Sequence, residues 1–295
     1  MTFPRGVEIP LDQCPINLGQ TLHSGQVFHW HEEGPGYLGL IGSEPVYLVG
    51  DGCRLVVSGE REAGLAARVA RYLGLDHPLQ AIIDGFRPDD EPLAAALAFC
   101  PGIRILRQPR WECLATFITS SLKQVPQIRK ISLTLRERYG EKRTLAGRVL
   151  HTYPEPAALA RAGEAGLREC GLGFRARGLA LAAERIASGE VNLDELDRLD
   201  DEALRRALCG FHGVGEKIAD CVLLFAYERH SSFPIDVWVE RIVRQLYYSP
   251  RRRKALNHAQ IQKFARRQFG RHAGYAQQYL FHYARMNDKV LFKEG

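Results

Sequence analysis

Short runs of aromatic and β-branched residues alternate with Gly, Pro and acidic residues over the first hundred positions. The runs are VFHWHEE, GYLGLIG, PVYLVG and CRLVVSG, and this alternation is typical of antiparallel strands joined by tight turns. One stretch with helical spacing follows, AGLAARVARYLGL, in which Leu65, Val69, Leu73 and Leu75 share a face. The pattern predicts a small α+β domain with an antiparallel sheet over residues 1–100.

Pro101-Gly102 marks a change to segments with helical periodicity, and we find neither a repeat nor a low-complexity linker. The spacing predicts an all-α domain over residues 101–295, packed against the first. The predicted helices are WECLATFITSSL, QIRKISLTLRERYG, AALARAGEAGL, GLALAAERIASG, DEALRRALCG, EKIADCVLLFAYER, VWVERIVRQLY, AQIQKFARRQFG and GYAQQYLFHYARM.

Composition narrows the class of protein. A length of 295 residues suits two packed domains, and 45% hydrophobic residues supply their core. No stretch approaches the roughly 20 apolar residues of a membrane span, and MTFPRGVEIPLDQC shows no signal or transit pattern. The seven cysteines are scattered without a C-x-x-C pair, which argues against disulfides, zinc and an iron–sulfur cluster. We therefore expect a cytoplasmic or nucleoid protein that is neither secreted nor bound to a membrane.

The net charge of +6 is unevenly distributed along the chain. Between Arg241 and Arg285 the sequence carries eleven Lys or Arg residues and no Asp or Glu, with the densest part at residues 251–254, RRRK. Such a tract is either a solvated face or a binding surface for a polyanion such as nucleic acid, and the tract alone leaves both readings open.

The most informative segment is LCGFHGVGEKIADC, residues 208–221. A predicted helix over residues 201–208 runs into Gly213-Val214-Gly215, and a second apolar helix leaves it. Glycines allow positive φ and the close approach of another backbone, while free amides at a helix start favour an anion. The segment is either a plain corner between two helices or a hairpin that grips phosphate.

Three side chains near this turn suggest chemistry. Lys217 lies in the first turn of the second helix, where the dipole disfavours a positive charge, and a neutral amine is the nucleophilic form. Cys221 lies one turn later on the same face. Asp236, in FPIDVWV, follows Lys217 by nineteen residues. We expect Asp236 to cap the next helix and also to stabilise positive charge that develops on a sugar ring.

LCGFHGVGEKIADC followed by FPIDVWV resembles the helix-hairpin-helix, Gly/Pro…Asp superfamily of DNA glycosylases, and within it the 8-oxoguanine DNA glycosylases. SGQVFHW, ILRQPRWECLATFITSS, GLGFRARGL and GYAQQYLF resemble further segments of that family in the same order. Lys217 is specific, because monofunctional relatives carry another residue there. The adenine-excising and thymine-glycol branches usually have four clustered C-terminal cysteines, whereas the last cysteine here is Cys221.

The resemblance implies a bifunctional base-excision repair enzyme that acts on double-stranded DNA containing 8-oxoguanine. Lys217 would attack the sugar C1′ with Asp236 supporting the charge, and the resulting Schiff base would permit β-elimination at the abasic site. We expect a monomer that needs no cofactor. Relatives also suggest a monovalent cation at the hairpin, held by the carbonyls of Cys209, Phe211 and Val214.

The same resemblance assigns the base pocket. Phe281 would stack on one face of the extruded base and Cys221 would lie on the other. Gln277 would bond the Watson–Crick edge, and its i,i+4 spacing from Phe281 lets both face one pocket. The carbonyl of Gly25 would accept from the N7–H that distinguishes 8-oxoguanine from guanine.

The resemblance also predicts the contacts with the duplex. Phe174 would fill or open the base stack, and Arg175 would read the opposite strand. Gly213, Val214 and Gly215 would contact phosphate. Trp238 replaces a histidine that many relatives place near a phosphate, and we expect its indole N–H to serve instead.

One segment departs from the family pattern. Animal members have an asparagine run after their Ser-Ser pair, where it contacts the cytosine opposite the lesion, but here the residues are Leu122-Lys123-Gln124. Leu122 cannot hydrogen-bond an orphaned cytosine. A strong preference for an opposite cytosine is therefore not expected.

Three other functions compete with this interpretation. The first is a related glycosylase for alkylated or other oxidised bases, which a panel of lesions distinguishes. The second is a non-catalytic DNA-binding module, which Lys217 and Asp236 argue against. The third is a helical protein–protein scaffold, which the acid-free basic tract makes less favourable.

Overall fold

A computed structural model describes residues 3, 6–11, 15–249, 251 and 256–292. Cys14 and positions 252–254 of the basic tract lie outside these residues. An antiparallel sheet opens the chain, with strand order β1-β5-β4-β3-β2. Its strands are β1 (Val7–Pro10), β2 (His31–Glu33), β3 (Gly36–Ile41), β4 (Glu44–Gly50) and β5 (Arg54–Gly59).

The alternating sequence pattern therefore predicted four of the five strands, and it missed β1 and the short helix α1 (Leu18–His23). The sheet is anchored by Trp30, whose ring is fully buried and packs so closely on Gly39 that a Cβ there would lie 2.4 Å from it. The indole N–H of Trp30 donates to the hydroxyl of Tyr72 at 3.0 Å. This bond joins the sheet to α2 (Leu65–Tyr72).

Most of the remaining chain is helical, as the periodicity predicts. The helices are α3 (Leu79–Asp84), α4 (Glu91–Phe99), α5 (Arg110–Ser120), α6 (Val125–Tyr139), α7 (Pro156–Leu167), α8 (Arg175–Ala187), α9 (Asp201–Cys209), α10 (Glu216–Ala226), α11 (Val237–Tyr247), α12 (His258–Phe269), α13 (Ala273–Met286) and α14 (Asp288–Leu291). None of the described helices is long and apolar enough to cross a membrane.

A second hairpin interrupts the helical region, which the periodicity did not predict. Its strands are β6 (Lys142–Leu145) and β7 (Arg148–His151), joined by Ala146 and Gly147 at φ +49° and +77°. Two positive φ values in succession give the tight turn that suits a twisted hairpin. The hairpin packs Leu145 and Leu150 against Leu38, Leu40 and Tyr47 of the N-terminal sheet.

The hydrophobic core consists of two large clusters of buried residues, and the boundary between them does not coincide with the change in composition at Pro101. One cluster of buried residues belongs to the sheet and α2. Its members lie between Leu11 and Leu75, except for Leu106. The larger cluster begins at Leu79, so α3 and α4 pack with the helical region. Composition changes at Pro101, whereas the packing changes between residues 75 and 79.

A buried polar network fixes the sheet against the helices. His29 contacts Glu112 of α5 at 3.4 Å, and its other ring nitrogen lies 2.8 Å from the carbonyl of Leu40. Arg136 of α6 forms an ion pair with the same carboxylate. A paired and hydrogen-bonded buried charge fixes orientation, and here it orients α5, which reaches the candidate site.

Candidate active site

The predicted hairpin is formed by the end of α9, a turn and the start of α10. Gly213 takes φ +83° and needs to be glycine. Gly215 does not have the positive φ that the sequence suggested, since its φ is −100° and it serves as the N-cap of α10. It offers no side chain to the first amides of α10, so these amides remain open to an anion.

Lys217 lies in the first turn of α10 and is half-buried. Its Nζ stands 5.3 Å from the centre of the Phe117 ring of α5. Cys221 is buried one turn later, and burial raises the pKa of its thiol to about 12, against the influence of Lys217. Cys221 is therefore a neutral thiol at physiological pH, and the lysine is the better candidate nucleophile.

Asp236 is the N-cap of α11, as the sequence predicts. Its Oδ1 accepts from the amides of Trp238 and Val239 at 3.1 and 2.9 Å. Burial raises the pKa of Asp236, while these amides and the nearby charge of Lys217 act to lower it. The structure thus places a partly desolvated carboxylate beside the candidate nucleophile.

The opposite side of the site combines the N-terminal region with α13. Gly25 has φ +89°, and a Cβ added to it would lie 3.1 Å from Cε1 of Phe281. Gln277 lies one turn before Phe281 and is 5% exposed. Its Oε1 is buried and finds no hydrogen-bond partner among the described residues. Gly25 therefore lies against Phe281, although about 250 positions separate them, and the region of Gly25, Gln277 and Phe281 is called the slot below.

Two residues of this region were not singled out by the sequence analysis. Phe117 lies inside ILRQPRWECLATFITSS, and its ring stacks on Phe225 at 5.6 Å beneath Lys217. Arg285 lies one turn after Phe281, with its guanidinium 5.6 Å from that ring. The i,i+4 spacing from Phe281 was the available signal for Arg285. No local motif pointed to Phe117, because its role depends on how α5 packs on α10.

The predicted duplex contacts lie on an apolar part of the surface. Phe174 is 61% exposed and Leu122 is 90% exposed. Leu122 also has φ +52°, which is rare for a residue with a side chain. Trp238 is half-buried in the first turn of α11. Two exposed apolar side chains, one just after α5 and one just before α8, are suited to insertion into a base stack.

The side chain of Arg175 is buried, whereas the sequence predicts that it contacts the opposite DNA strand. It is only 7% exposed, and it donates to the carbonyls of Ser121 at 2.5 Å and Leu172 at 3.2 Å. Its guanidinium also lies 4.2 Å from the Phe174 ring. In this structure Arg175 contacts Phe174 and the end of α5 through Nε, Nη1 and its guanidinium plane.

The basic tract contains two kinds of residue. Arg241 pairs with Asp288, and Arg244 pairs with Glu240, so these two charges are used inside the protein. Exposed cations remain on α12 and beyond it, at Lys263, Arg266, Arg267 and Arg271. Their exposure favours contact with a polyanion.

Within the ranges that the structure describes, no group of three or more His, Cys, Asp or Glu is placed to hold a metal ion. The hairpin offers backbone oxygens instead. The carbonyl of Phe211 accepts from the amide of Val214 at 3.1 Å, and a carbonyl has a second lone pair for a cation.

A glycine-rich hairpin between two helices, with a half-buried lysine in the first turn of the second helix, is the arrangement of a class, the helix-hairpin-helix DNA glycosylases. Residues 8–114 match the family described as 8-oxoguanine DNA glycosylase, N-terminal domain. The probable N-glycosylase/DNA lyase of Methanothermobacter thermautotrophicus is 31% identical over 217 residues, which cover 67% of this chain and 68% of that protein. The N-glycosylase/DNA lyase of Saccharomyces cerevisiae is 31% identical over 257 residues, covering 76% and 67%.

Solved structures agree with the sequence relatives. The Clostridium acetobutylicum 8-oxoguanine glycosylase/lyase, bound to double-stranded DNA with cytosine opposite 8-oxoG, superposes with a TM-score of 0.88 at 31% identity. The match covers 98% of this chain and 100% of that one. The chain belongs to the 8-oxoguanine DNA glycosylase family of N-glycosylase/DNA lyases.

Proposed function

We propose that this protein excises 8-oxoguanine from duplex DNA and then cleaves the abasic site, with Lys217 as the nucleophile of both steps. The observation that carries the proposal is the position of Lys217, in the first turn after the uncapped start of α10 and close enough to Asp236 for the two charges to interact. A phosphate held at the hairpin would bring a sugar close to the amine. The membership of the family makes this sugar a nucleotide of damaged DNA.

The reaction starts with the neutral amine of Lys217. The amine attacks C1′, the N-glycosidic bond breaks, and its electron pair leaves with the base, which takes up a proton. Asp236 stabilises the positive charge that develops on the sugar ring. Opening of the ring gives a protonated Schiff base on Lys217. Loss of a proton from C2′ then expels the 3′ phosphate with its electron pair, and hydrolysis of the Schiff base returns the free amine.

Recognition of the base is assigned to the slot between Gly25 and α13. The N7–H of 8-oxoguanine would donate to the carbonyl of Gly25, whereas guanine would present a lone pair there. Opposing a buried acceptor with a lone pair costs roughly 1–3 kcal/mol. The orphan Oε1 of Gln277 supports the same assignment, because the Watson–Crick edge of 8-oxoguanine carries donors that it lacks in the protein. Phe281 and Cys221 would contact the two faces of the base.

Contact with the duplex is assigned to the hairpin and to the apolar surface. Gly213, Val214 and Gly215 would hold a phosphate, and a Cβ on Gly215 would meet no protein atom within 4 Å. Its lack of a side chain is therefore not required by packing, which fits an approach by the DNA backbone. Phe174 would fill or open the base stack, and Arg175 beside it would read the opposite strand. Trp238 would donate its indole N–H to phosphate.

A monovalent cation fits the hairpin as a structural element. The carbonyls of Cys209, Phe211 and Val214 would hold it, since Na⁺ and K⁺ prefer oxygen ligands. It would stabilise the turn and supply positive charge near a phosphate. The site of action is assigned to the cytoplasm or nucleoid, where the DNA substrate lies. The free thiols of the six described cysteines are typical of reducing compartments.

The test is a cleavage and trapping assay on duplexes with one 8-oxoguanine. The wild type should release the base, cleave the strand and become covalently linked to the DNA when borohydride is present. Lys217→Gln should lose all three activities and keep its binding to the duplex. Persistent trapping by Lys217→Gln would contradict the assignment of the nucleophile, and failure of the wild type to release the base would contradict the function. Duplexes with alkylated bases serve as the specificity control.

A further inference from the structure

Arg285 joins the two walls of the base slot. Its Nη2 donates to the carbonyl of His23 at 2.9 Å, two residues before Gly25. Its guanidinium lies 5.6 Å from the centre of the Phe281 ring, and that ring faces Gly25. One side chain therefore contacts both the loop that presents Gly25 and the ring that closes the slot.

Arg285 has a partly buried environment that restricts its motion. Its Nε is buried and finds no acceptor among the described residues, and Nη2 also lies 3.3 Å from Nδ1 of His282. Burial lowers the pKa of Arg285, although the nearby carboxylate of Asp236 acts to raise it. A cation that is partly desolvated costs free energy unless its bonds compensate. The bond to His23 is thus a main restraint on this side chain.

The Gly25 loop has a second connection to the same helix. Gln278 donates through Nε2 to the carbonyl of Ser24 at 3.1 Å. Consecutive carbonyls, those of His23 and Ser24, are therefore held by two side chains of α13. Arg285 also contacts the ring of Phe281. Loss of Arg285 would therefore affect both the Gly25 loop and Phe281.

We propose that Arg285 is a positioning residue for base recognition, which fixes the spacing of Gly25 and Phe281 through its bond to the carbonyl of His23. The inference rests on the proposed function, because that function assigns Gly25 and Phe281 to the base slot. The inference assigns Arg285 to recognition of the base and not to the chemistry at C1′.

Arg285 and Asp236 are close enough for their charges to interact, but the hydrogen bonds and the ring contact that hold the groups at C1′ do not involve Arg285. Asp236 is held by the amides of Trp238 and Val239, and Lys217 lies over Phe117. A preformed abasic site has no base, so its cleavage needs Lys217 but not the slot. Removal of Arg285 should therefore separate the two activities of the enzyme.

The experiment compares Arg285→Met with the wild type on two duplexes, one with 8-oxoguanine and one with a preformed abasic site. Excision of 8-oxoguanine should fall by about tenfold or more, about 1.4 kcal/mol in the barrier, while abasic cleavage stays within about threefold. Arg285→Lys should recover part of the excision, because an ammonium can still donate to the carbonyl of His23. Arg54→Met, which removes an exposed arginine of β5 paired with Glu8 and Asp51, is the matched control and should change neither activity.

Two results would overturn the proposal. Unchanged excision by Arg285→Met would show that the slot does not need this bond, and an equal loss of both activities would show a general structural role. If Arg285→Met is not recovered folded, Arg285→Lys decides the question by the ratio of its two activities, which should still favour abasic cleavage. Failure of the proposed function would appear separately, as a wild type that does not release 8-oxoguanine.

Discussion

The two sides of the active site are built in different ways. The hairpin side, with Lys217, Cys221 and Asp236, comes from α10 and the N-cap of α11, within twenty residues of sequence. The slot side joins Gly25, near the start of the chain, to Gln277 and Phe281 near its end. In the proposed function, the hairpin side carries the groups that would react at the sugar, whereas the slot side carries the groups that would recognise the base. The proposed chemistry is thus encoded locally, and the proposed recognition depends on the packing of two distant segments.

This comparison predicts that changes on the two sides have different effects. A change on the hairpin side should reduce both base excision and abasic cleavage. A change on the slot side should reduce excision alone. The following predictions test this difference, beginning with the largest expected effect.

Asp236→Asn should reduce excision by about a hundredfold or more, because electrostatic stabilisation of developing charge is lost. Its stability at neutral pH should be equal or higher. Burial raises the folded pKa of Asp236 above its unfolded value, so this group favours folding at low pH and opposes it once it ionises. Asparagine still caps the helix. Single-turnover excision and thermal unfolding measure both effects, and a variant that excises at close to the wild-type rate would contradict the role of the carboxylate.

Gly25→Ala should reduce excision by about tenfold, while abasic cleavage continues. The new Cβ would strain a backbone at φ +89° and press on Phe281 at 3.1 Å. The matched control is Gly52→Ala, because Gly52 has φ +94° and nothing within 4 Å of its Cβ position. The control should lose similar stability and keep both activities. Equal excision by the two variants would show that Gly25 does not take part in base recognition.

The preference for the opposite base should be weak. Leu122 is exposed where animal relatives have an asparagine, and it has no hydrogen-bonding group for a cytosine. Excision measured opposite C, T, G and A should differ by less than about a hundredfold, about 2.7 kcal/mol. A larger preference for C would show that another residue reads the partner strand, and Arg175 would be the first to examine.

The prediction with the smallest effect on activity concerns the pH dependence of stability where His77 packs on α13. His77 lies 4.5 Å from the ring of His230, and its Nδ1 is 2.5 Å from the hydroxyl of Tyr275 on α13. Burial lowers the pKa of His77 and of His230 to about 4. Their folded pKa values lie below the unfolded value of 6.5, so the stability that they provide is complete above pH 6.5 and declines as the pH falls toward 4.

Between pH 6.5 and 5 the free energy of unfolding should therefore fall, by up to about 1.4 kcal/mol per pH unit for each histidine. Urea unfolding at several pH values measures this slope. His77→Gln should show a shallower slope, and an identical slope in the variant would exclude His77 as a source.

Much of the fold and of the hairpin side could be predicted from sequence patterns, because both depend on local periodicity and helix capping. Asp236 was expected to cap α11 and does so. The hairpin of β6 and β7 was missed, since its stability comes from Leu145 and Leu150 packing on the distant sheet. Arg175 illustrates the same limit. Its contact with the opposite strand stays a prediction, and the sequence could not show that the carbonyls of Ser121 and Leu172 accept hydrogen bonds from its guanidinium.

The slot side was assigned by resemblance, and its geometry required the structure. Spacing alone placed Gln277 and Phe281 on one face of a helix. It did not show that Gly25 would lie against that face or that Arg285 would connect the two. Such contacts between distant parts of a chain depend on domain packing, which local patterns do not specify.

The central claim is that Lys217 forms the covalent bond to DNA, and mapping of the trapped complex tests it most directly. Wild-type protein would be trapped on an 8-oxoguanine duplex with borohydride, digested with nuclease and trypsin, and analysed by mass spectrometry. The sugar remnant should be found on Lys217, in a peptide spanning residues 207–229 that trypsin no longer cuts after that lysine. A remnant on any other lysine or on the N-terminal amine would contradict the account.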